Sequence, residues 1–398
     1  MGYRFHASAP SGEWINDPNA LFFADGRYHL FVQHAADAPD FRRIGWGHLS
    51  SADLVNWRWR GVVMPPEPNA SIYSGSLVMT DPPELFFTRH APDGPWQTQG
   101  RAALHANRAG VTPIGGPLGP AGRNLRDPFV WRSCEGWRML LARPCDWTRW
   151  REDTPSTLEL WGSPDRAQWR RLSTIGPWMA AGMMWEVPVL LDFGQRQALV
   201  ISLIDRRVGT LCEVRYWLGR LSDTGFERAS GFPDEGVPLD HGLDFYAAIP
   251  NVTDGWPDPA RVVVGWASSW STARSVKWPE ARGGGPISMA RRVDLAGDRL
   301  TLEPAVGRTS DWRGLLRSGG SLTLSTDAGR LTISVGEALH VDRAEAERPV
   351  VSRSTSVPLA PSDDISVFVD GPLVEAFWRG IAITAVLPGA DKAVLELR

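Results

Sequence analysis

Apolar and polar residues alternate along most of the chain in short runs that Gly, Pro, Asp or Asn closes. Segments 27–32, 137–141, 198–203 and 261–266 are clear cases, rich in Val, Ile, Leu and aromatic residues. A period of two between turn formers predicts strands, because successive side chains on a strand point to opposite faces. Long stretches with apolar residues at helical spacing are missing, so the pattern predicts an all-β protein. Past residue 295 the runs change character: 321–324, 331–335, 365–369 and 381–386 alternate between charged turns, with little tryptophan. That tail reads as a β-sandwich, which gives two domains, 1–295 and 296–398.

The larger part contains a repeat. Ser51-Ala52-Asp53-Leu54-Val55-Asn56-Trp57 and Ser163-Pro164-Asp165-Arg166-Ala167-Gln168-Trp169 share the pattern S-x-D-x-x-x-W, and Ser222-Asp223-Thr224-Gly225-Phe226 echoes it. Each follows a predicted strand and marks a turn between two outer strands of a unit. Asp17 lies 34 residues before Ser51, Asp127 lies 36 before Ser163, and Glu186 lies 36 before Ser222. These counts put three carboxylates at one place in three units. Units of four short strands at this spacing are propeller blades, whose first strands line a central channel. The three acids are therefore expected to face one another at the mouth of one funnel.

Composition narrows the function. Of 398 residues, 43% are hydrophobic, which is ordinary for a folded protein and excludes disorder. A formal net charge of −3, without a long Lys or Arg run, excludes a nucleic-acid partner. No stretch reaches the roughly 20 apolar residues of a membrane span, so no membrane partner is expected. Met1 leads into Gly2-Tyr3-Arg4-Phe5-His6 with no charged-then-apolar leader, so a cytoplasmic location is expected unless a leader has been left out. Cys134, Cys145 and Cys212 lack metal-ligand spacing and are expected to be free, buried thiols. Tryptophan is the outlier, with 20 residues: indole stacks on sugar rings, and it also fills all-β cores. A homo-oligomer is compatible with this composition.

Cleaving a glycosidic bond takes an acid that protonates the leaving oxygen and a carboxylate that acts at the anomeric carbon. Negative charge nearby stabilises the oxocarbenium-like transition state between them. Asp17, Asp127 and Glu186 can divide these roles, since like charges in one cleft push at least one pKa up. Glu186 sits between Trp185 and Val187, where a lone charge is costly unless it has a partner or a job.

Trp14-Ile15-Asn16-Asp17-Pro18-Asn19-Ala20 resembles the W-[MIL]-N-D-P-N-G signature of glycoside hydrolase family 32, the invertases, inulinases and levanases. Arg126-Asp127-Pro128 is similar to that family's R-D-P motif, and Trp185-Glu186-Val187-Pro188 to its W-E-C-P motif. Phe31-Val32-Gln33, Gly45-Trp46-Gly47-His48, Tyr73-Ser74-Gly75-Ser76, Asp244-Phe245-Tyr246-Ala247 and Phe368-Val369-Asp370-Gly371 with Val374-Glu375-Ala376-Phe377 extend the match through both parts. The resemblance implies a five-bladed β-propeller followed by a C-terminal β-sandwich. It also implies a retaining β-fructofuranosidase that releases terminal β-D-fructofuranosyl units from sucrose or short fructo-oligosaccharides through a fructosyl-enzyme. By the matching positions, Asp17 is the nucleophile and Glu186 the acid/base, while Asp127 holds the fructose 3- and 4-hydroxyls and stabilises the transition state. Asn16, Gln33, Trp46, Tyr73, Ser74, Arg126 and Tyr246 line the fructose pocket. No metal or organic cofactor is implied.

The match has departures. Ala20 stands where the signature has glycine, which is mild if that residue avoids positive φ. Val187 stands where the family has cysteine, which implies a shifted acidic limb of the pH–rate profile relative to members with the thiol. The Gly- and Pro-rich segment 109–123 is expected to form part of the wall that meets the leaving group. His34-Ala35-Ala36-Asp37 differs from the polar, aromatic-rich stretch expected after Gln33. Three other readings stay open: a fructosyltransferase on the same residues, an inverting arabinan-type propeller hydrolase, and a sugar-binding module with a decayed site.

Overall fold

A computed structural model describes residues 3–10, 13–36, 43–91, 96–145, 155–205, 211–253, 261–275, 284–306, 313–317, 319–326, 329–343, 353–358, 365–387 and 394–397. The described residues form seven antiparallel sheets and one short helix, Trp270–Ser275. Five sheets follow one another along the chain, each running outward from a first strand in sequence order. Those first strands are Trp14–Ala24, Ser71–Val78, Arg126–Ser133, Met183–Asp192 and Tyr246–Pro250. The sheets are the five blades of a propeller, numbered here in chain order. The ring closes where Leu21 of blade 1 bridges Asn251 of blade 5, with Val252 N donating to Leu21 O at 2.8 Å. The strand segments read from the sequence all fall within observed strands.

The repeated serine motif is the same turn twice. In blade 1 it joins Gly45–Ser51 to Arg58–Met64, and in blade 3 it joins Thr157–Ser163 to Arg170–Ile175. Asp53 Oδ1 accepts from Val55 N and Asn56 N, and Asp165 Oδ1 accepts from Ala167 N and Gln168 N. The indoles of Trp57 and Trp169 donate to Leu54 O and Arg166 O, whose residues lie at φ 64° and 66°. An Asp that caps two amides and a Trp that ties down the left-handed residue explain why S-x-D-x-x-x-W recurs.

Every first strand carries a bulge near its start, where the pairing register slips. A bulge bends the strand and re-aims its side chains, here toward the axis. Gly75 in blade 2 shows how tightly these bends pack: a Cβ there would lie 1.9 Å from Phe86 O. Gly75→Ala is expected to cost about 1–3 kcal/mol through backbone displacement, read as a lower urea midpoint. An unchanged midpoint would mean that blade 2 yields at no cost.

Tryptophan is largely structural. Trp14, Trp46, Trp185, Trp217 and Trp266 are fully buried, each contributing the large apolar area of an indole to the packing.

The two remaining sheets lie face to face as a sandwich. One holds Arg313–Leu316, Ile365–Asp370, Leu373–Trp378 and Ile381–Val386, and the other Ser354–Pro358, Ala338–Asp342, Gly329–Val335, Ser321–Thr326 and Val394–Leu397. Their shared core includes Leu324, Leu331, Ile333, Val341, Val374 and Ile383. The boundary expected at 295 needs correction. Arg291–Ala296 and Arg299–Pro304 pair as one hairpin in the outer half of blade 5, so residue 295 lies inside a blade. The sequence change marks only where blade 5 turns outward to solvent and loses its aromatics.

Blade 5 and the sandwich meet through buried charges. Arg291 donates to Asp240 (2.7 Å) and Glu375 (2.5 Å), and Arg343 donates to Asp244 (2.5 Å), with both guanidiniums fully buried. His6 bridges Asp370 (2.8 Å) and Glu375 (2.9 Å). Burial opposes a charge on His6, but its two carboxylate partners outweigh that and raise its pKa. These residues account for the D-F-Y-A and F-V-D-G…V-E-A-F matches. Removing one member would strand a buried charge, which specifies how the two parts dock.

Candidate active site

The bulges bring the carboxylates together. Asp17 lies in the blade 1 bulge, and its Oδ1 accepts from Asn16 Nδ2 at 3.0 Å while Oδ2 accepts from Ser74 Oγ at 2.7 Å. Asn16 Nδ2 also donates to Gln33 Oε1 (2.7 Å), and Gln33 Nε2 donates to Ser74 Oγ (2.6 Å). Trp14 Nε1 donates to Asn16 Oδ1 at 2.8 Å and fixes that amide. The result is a closed ring of polar groups from blades 1 and 2 around one carboxylate. Burial pushes Asp17 up to about 6, the Glu186 charge adds to this, and the Ser74 and Asn16 hydrogen bonds oppose it.

Across the funnel, Arg126 Nη2 and Nε donate to Glu186 Oε1 at 2.7 and 3.1 Å, and Tyr246 Oη donates to Oε2 at 2.5 Å. Glu186 thus has the partner its apolar neighbours demanded. Burial, then the Glu186 charge, holds the Tyr246 phenol well above its ordinary value, so it stays a donor at neutral pH. Asp127 Oδ2 accepts from Val187 N at 3.0 Å. Burial pushes Asp127 up to about 7, against the pull of Arg126 and with help from Glu186 and Asp17. The three acids are close enough to shift one another's ionisation, which is the electrostatic signature of one cleft.

The register corrects the count that located them. Arg126 opposes Ala142, Glu186 opposes Ser202 and Tyr246 opposes Trp266, each immediately before its bulge. These three residues are therefore equivalent, at intervals of 60 in blades 3, 4 and 5. Glu186 aligns with Arg126, and Asp127 aligns with Val187 and Ala247. The serine count was one residue out because the third strand and the connection leading into it differ in length between blades 3 and 4. Asp127, Val187 and Ala247 share a left-handed backbone, at φ 62°, 46° and 51°. Asp tolerates that region, whereas a β-branched Val is strained there. Val187 pairs its amide with Asp127 in doing so.

Other expected site residues divide. Tyr73 is half-buried beside Arg126, Glu186 and Asp127, and stacks on His90 at 4.7 Å. Trp46 is fully buried among Phe31, Ile72 and Phe87, with its indole within 3.1 Å of Tyr73 O. That bond ties it to the Tyr73 backbone between blades 1 and 2. Ala20 keeps ordinary φ, so glycine's freedom is not needed there.

Segment 109–123 is also displaced from its expected place. Val111–Pro113 and Leu118–Arg123 pair with Trp96–Leu104, the third strand of blade 2, and close its outer edge. His34 bonds Glu13 (2.6 Å) and packs on Trp59, and Asp37 lies outside the described residues. Cys145 and Cys212 are buried and Cys134 is exposed, and none of the three forms a disulfide. Sequence reasoning missed His90 and Thr88, which lie in no motif, and the contact of the Val187 amide with Asp127, which the motif around Val187 does not reveal.

The chain thus presents a five-bladed propeller followed by a sandwich, with three largely buried carboxylates at the bulges of the propeller's first strands. The profile of the glycosyl hydrolases family 32 N-terminal domain matches residues 6–304, and the chain belongs to that family. It is 26% identical over 328 residues to a sucrose-6-phosphate hydrolase of Zymomonas mobilis, covering 75% of this chain and 61% of that one. The chain thus spans about three fifths of that relative's length. A sucrose-6-phosphate hydrolase of Escherichia coli is 27% identical over 463 residues, with 99% and 91% covered. Among solved structures, the exo-inulinase of Aspergillus awamori shares the fold at a TM-score of 0.78 and 20% identity, with 99% and 94% covered. No helix among the described residues is long and apolar enough to cross a membrane.

Proposed function

We propose that the protein is a retaining β-fructofuranosidase that hydrolyses terminal β-D-fructofuranosyl units of sucrose or short fructo-oligosaccharides. The observation that carries this is Asp17, held by Asn16 and Ser74 across the funnel from a Glu186 whose carboxylate Arg126 and Tyr246 orient. One carboxylate is fixed in rotation and has no ion-pair partner among the described residues, as suits a nucleophile. The other sits among groups that can exchange hydrogen bonds as its proton leaves and returns.

In this reading Asp17 attacks the anomeric carbon of the fructosyl unit while Glu186 protonates the departing oxygen. A covalent fructosyl-enzyme results, and Glu186 then takes a proton from the water that releases fructose. Asp127 binds sugar hydroxyls and faces the positive charge that develops on the ring. The roles follow the family resemblance. The buried, mutually coupled carboxylates support them, because a binding module gains nothing from holding three acids at such cost. The E. coli sucrose-6-phosphate hydrolase, matched over nearly its full length, supports a sucrose-sized substrate.

The ionisation of Asp17 and Asp127 sets the pH response. An attacking carboxylate must be deprotonated and Asp127 acts through its charge, so kcat/KM is expected to fall as pH drops from about 7 through about 6, the values to which burial raises Asp127 and Asp17. Ser74→Ala removes a hydrogen bond that favours the carboxylate form, and the limb should then move to higher pH. A wild-type limb near the ordinary carboxylate value would contradict the assignment. Fructose release from sucrose, inulin and levan, with an aryl α-L-arabinofuranoside as control, tests the reading as a whole. Cleavage of the arabinoside alone would favour the inverting alternative.

A further inference from the structure

Besides the motif serines Ser74 and Ser76, which bond Asp17 and the Pro128–Val130 backbone, blade 2 reaches the site through a relay of three hydrogen bonds that uses no motif residue of that blade. Thr88 and Gln99 stand opposite one another on the second and third strands of that blade, both with no exposed surface. Gln99 Nε2 donates to Leu125 O at 2.8 Å, Thr88 Oγ1 donates to Gln99 Oε1 at 2.8 Å, and Asp127 N donates to Thr88 Oγ1 at 3.0 Å. The direction of each bond is fixed by chemistry. A carbonyl only accepts, so the Gln99 amide nitrogen must face Leu125; its oxygen then faces Thr88, whose one proton goes there. The threonine lone pairs are left for the Asp127 amide. The Gln99 amide oxygen and nitrogen and the Thr88 hydroxyl each have a partner.

The two outer bonds bracket Arg126. One holds the carbonyl before it and the other holds the amide after it, across a bulge in which Asp127 takes the left-handed backbone at φ 62°. Arg126 donates twice to Glu186, and the Asp127 carboxylate receives the Val187 amide next to Glu186. A change in the bulge would therefore re-aim the cation and the carboxylate that face Glu186 together.

We propose that Thr88 and Gln99 are positioning residues for the Arg126–Asp127 bulge, and that through it blade 2 sets the geometry of Glu186 and Asp127. This rests on the fructofuranosidase reading above. The role is distinct from packing: a valine at 88 has the same shape but offers the Asp127 amide no acceptor.

The test compares Thr88→Val, Thr88→Ser and Gln99→Met with the wild-type enzyme on sucrose, with kcat, KM, pH profile and thermal midpoint measured for each. Misplacing catalytic groups by a fraction of an ångström to an ångström predicts that Thr88→Val loses about 10–100-fold in kcat/KM, mostly in kcat. The pH profile should shift as well, because the charges around Glu186 move. Thr88→Ser keeps the hydroxyl and should return to within about threefold of wild type. If Thr88→Val does not fold, Gln99→Met carries the same expectation, since it frees both Leu125 O and Thr88. A folded Thr88→Val or Gln99→Met with wild-type kcat and pH profile would overturn the proposal, as would a Thr88→Ser no better than valine. A wild-type enzyme inactive on every fructoside would instead overturn the functional reading beneath it.

Discussion

Asp17→Ala is expected to abolish fructose release, lowering kcat by about 10⁴-fold or more, as loss of a nucleophile does elsewhere. The fold should survive. Asn16, Gln33 and Ser74 still bond one another without the carboxylate, and Trp14 still fixes Asn16. The substitution also removes a buried acid whose ionisation burial opposes. Thermal stability at neutral pH should therefore stay level or rise while activity vanishes. Initial rates on sucrose and a melting curve at pH 7 check both. Residual activity within 100-fold of wild type would mean that Asp17 does not attack the sugar.

Asp127→Asn should move activity and stability in opposite directions. Loss of its charge is expected to lower kcat by roughly 10²–10³-fold, the scale of removing one preorganised electrostatic contact. Stability follows from linkage. Asp127 is raised from 3.8 to about 7 in the folded protein. A raised acid favours folding fully below its unfolded value, and this contribution is lost as pH climbs through the folded value. Wild type and variant should thus match near pH 4. Above pH 7 the variant should be more stable by roughly 2–4 kcal/mol, allowing for the coupling to Glu186 and Asp17. Urea unfolding at pH 4.5 and pH 8 measures the difference. A variant that loses stability at pH 8 would show that the charge is better solvated than its burial suggests. The same trade of stability for function explains why three acids persist in a buried funnel.

How far the sequence discloses this protein depends on whether a signal is local. Alternation locates strands because each residue's face depends only on its neighbours. The S-x-D-x-x-x-W turn is legible because its hydrogen bonds close within seven residues. Asp17, Asp127 and Glu186 are legible because each sits in a short motif whose spacing repeats. What resisted depends on register between strands far apart. The equivalence of Arg126, Glu186 and Tyr246 needs the bulge positions, which no single strand encodes. Thr88 reaches Asp127 across 39 residues and the gap between two blades, with no feature in its own segment to mark it. The boundary at 295 failed for a related reason: the outer half of blade 5 has the solvent-facing composition of the sandwich that follows.

The central claim is that Asp17 forms a covalent fructosyl-enzyme which a second molecule then resolves from the same face. The direct test is to run sucrose cleavage in water containing methanol and determine the anomeric configuration of the fructosyl product by NMR. The account predicts methyl β-D-fructofuranoside alongside free fructose, since methanol can intercept the intermediate only with retention. Methyl α-D-fructofuranoside, or cleavage that methanol never diverts, would contradict it.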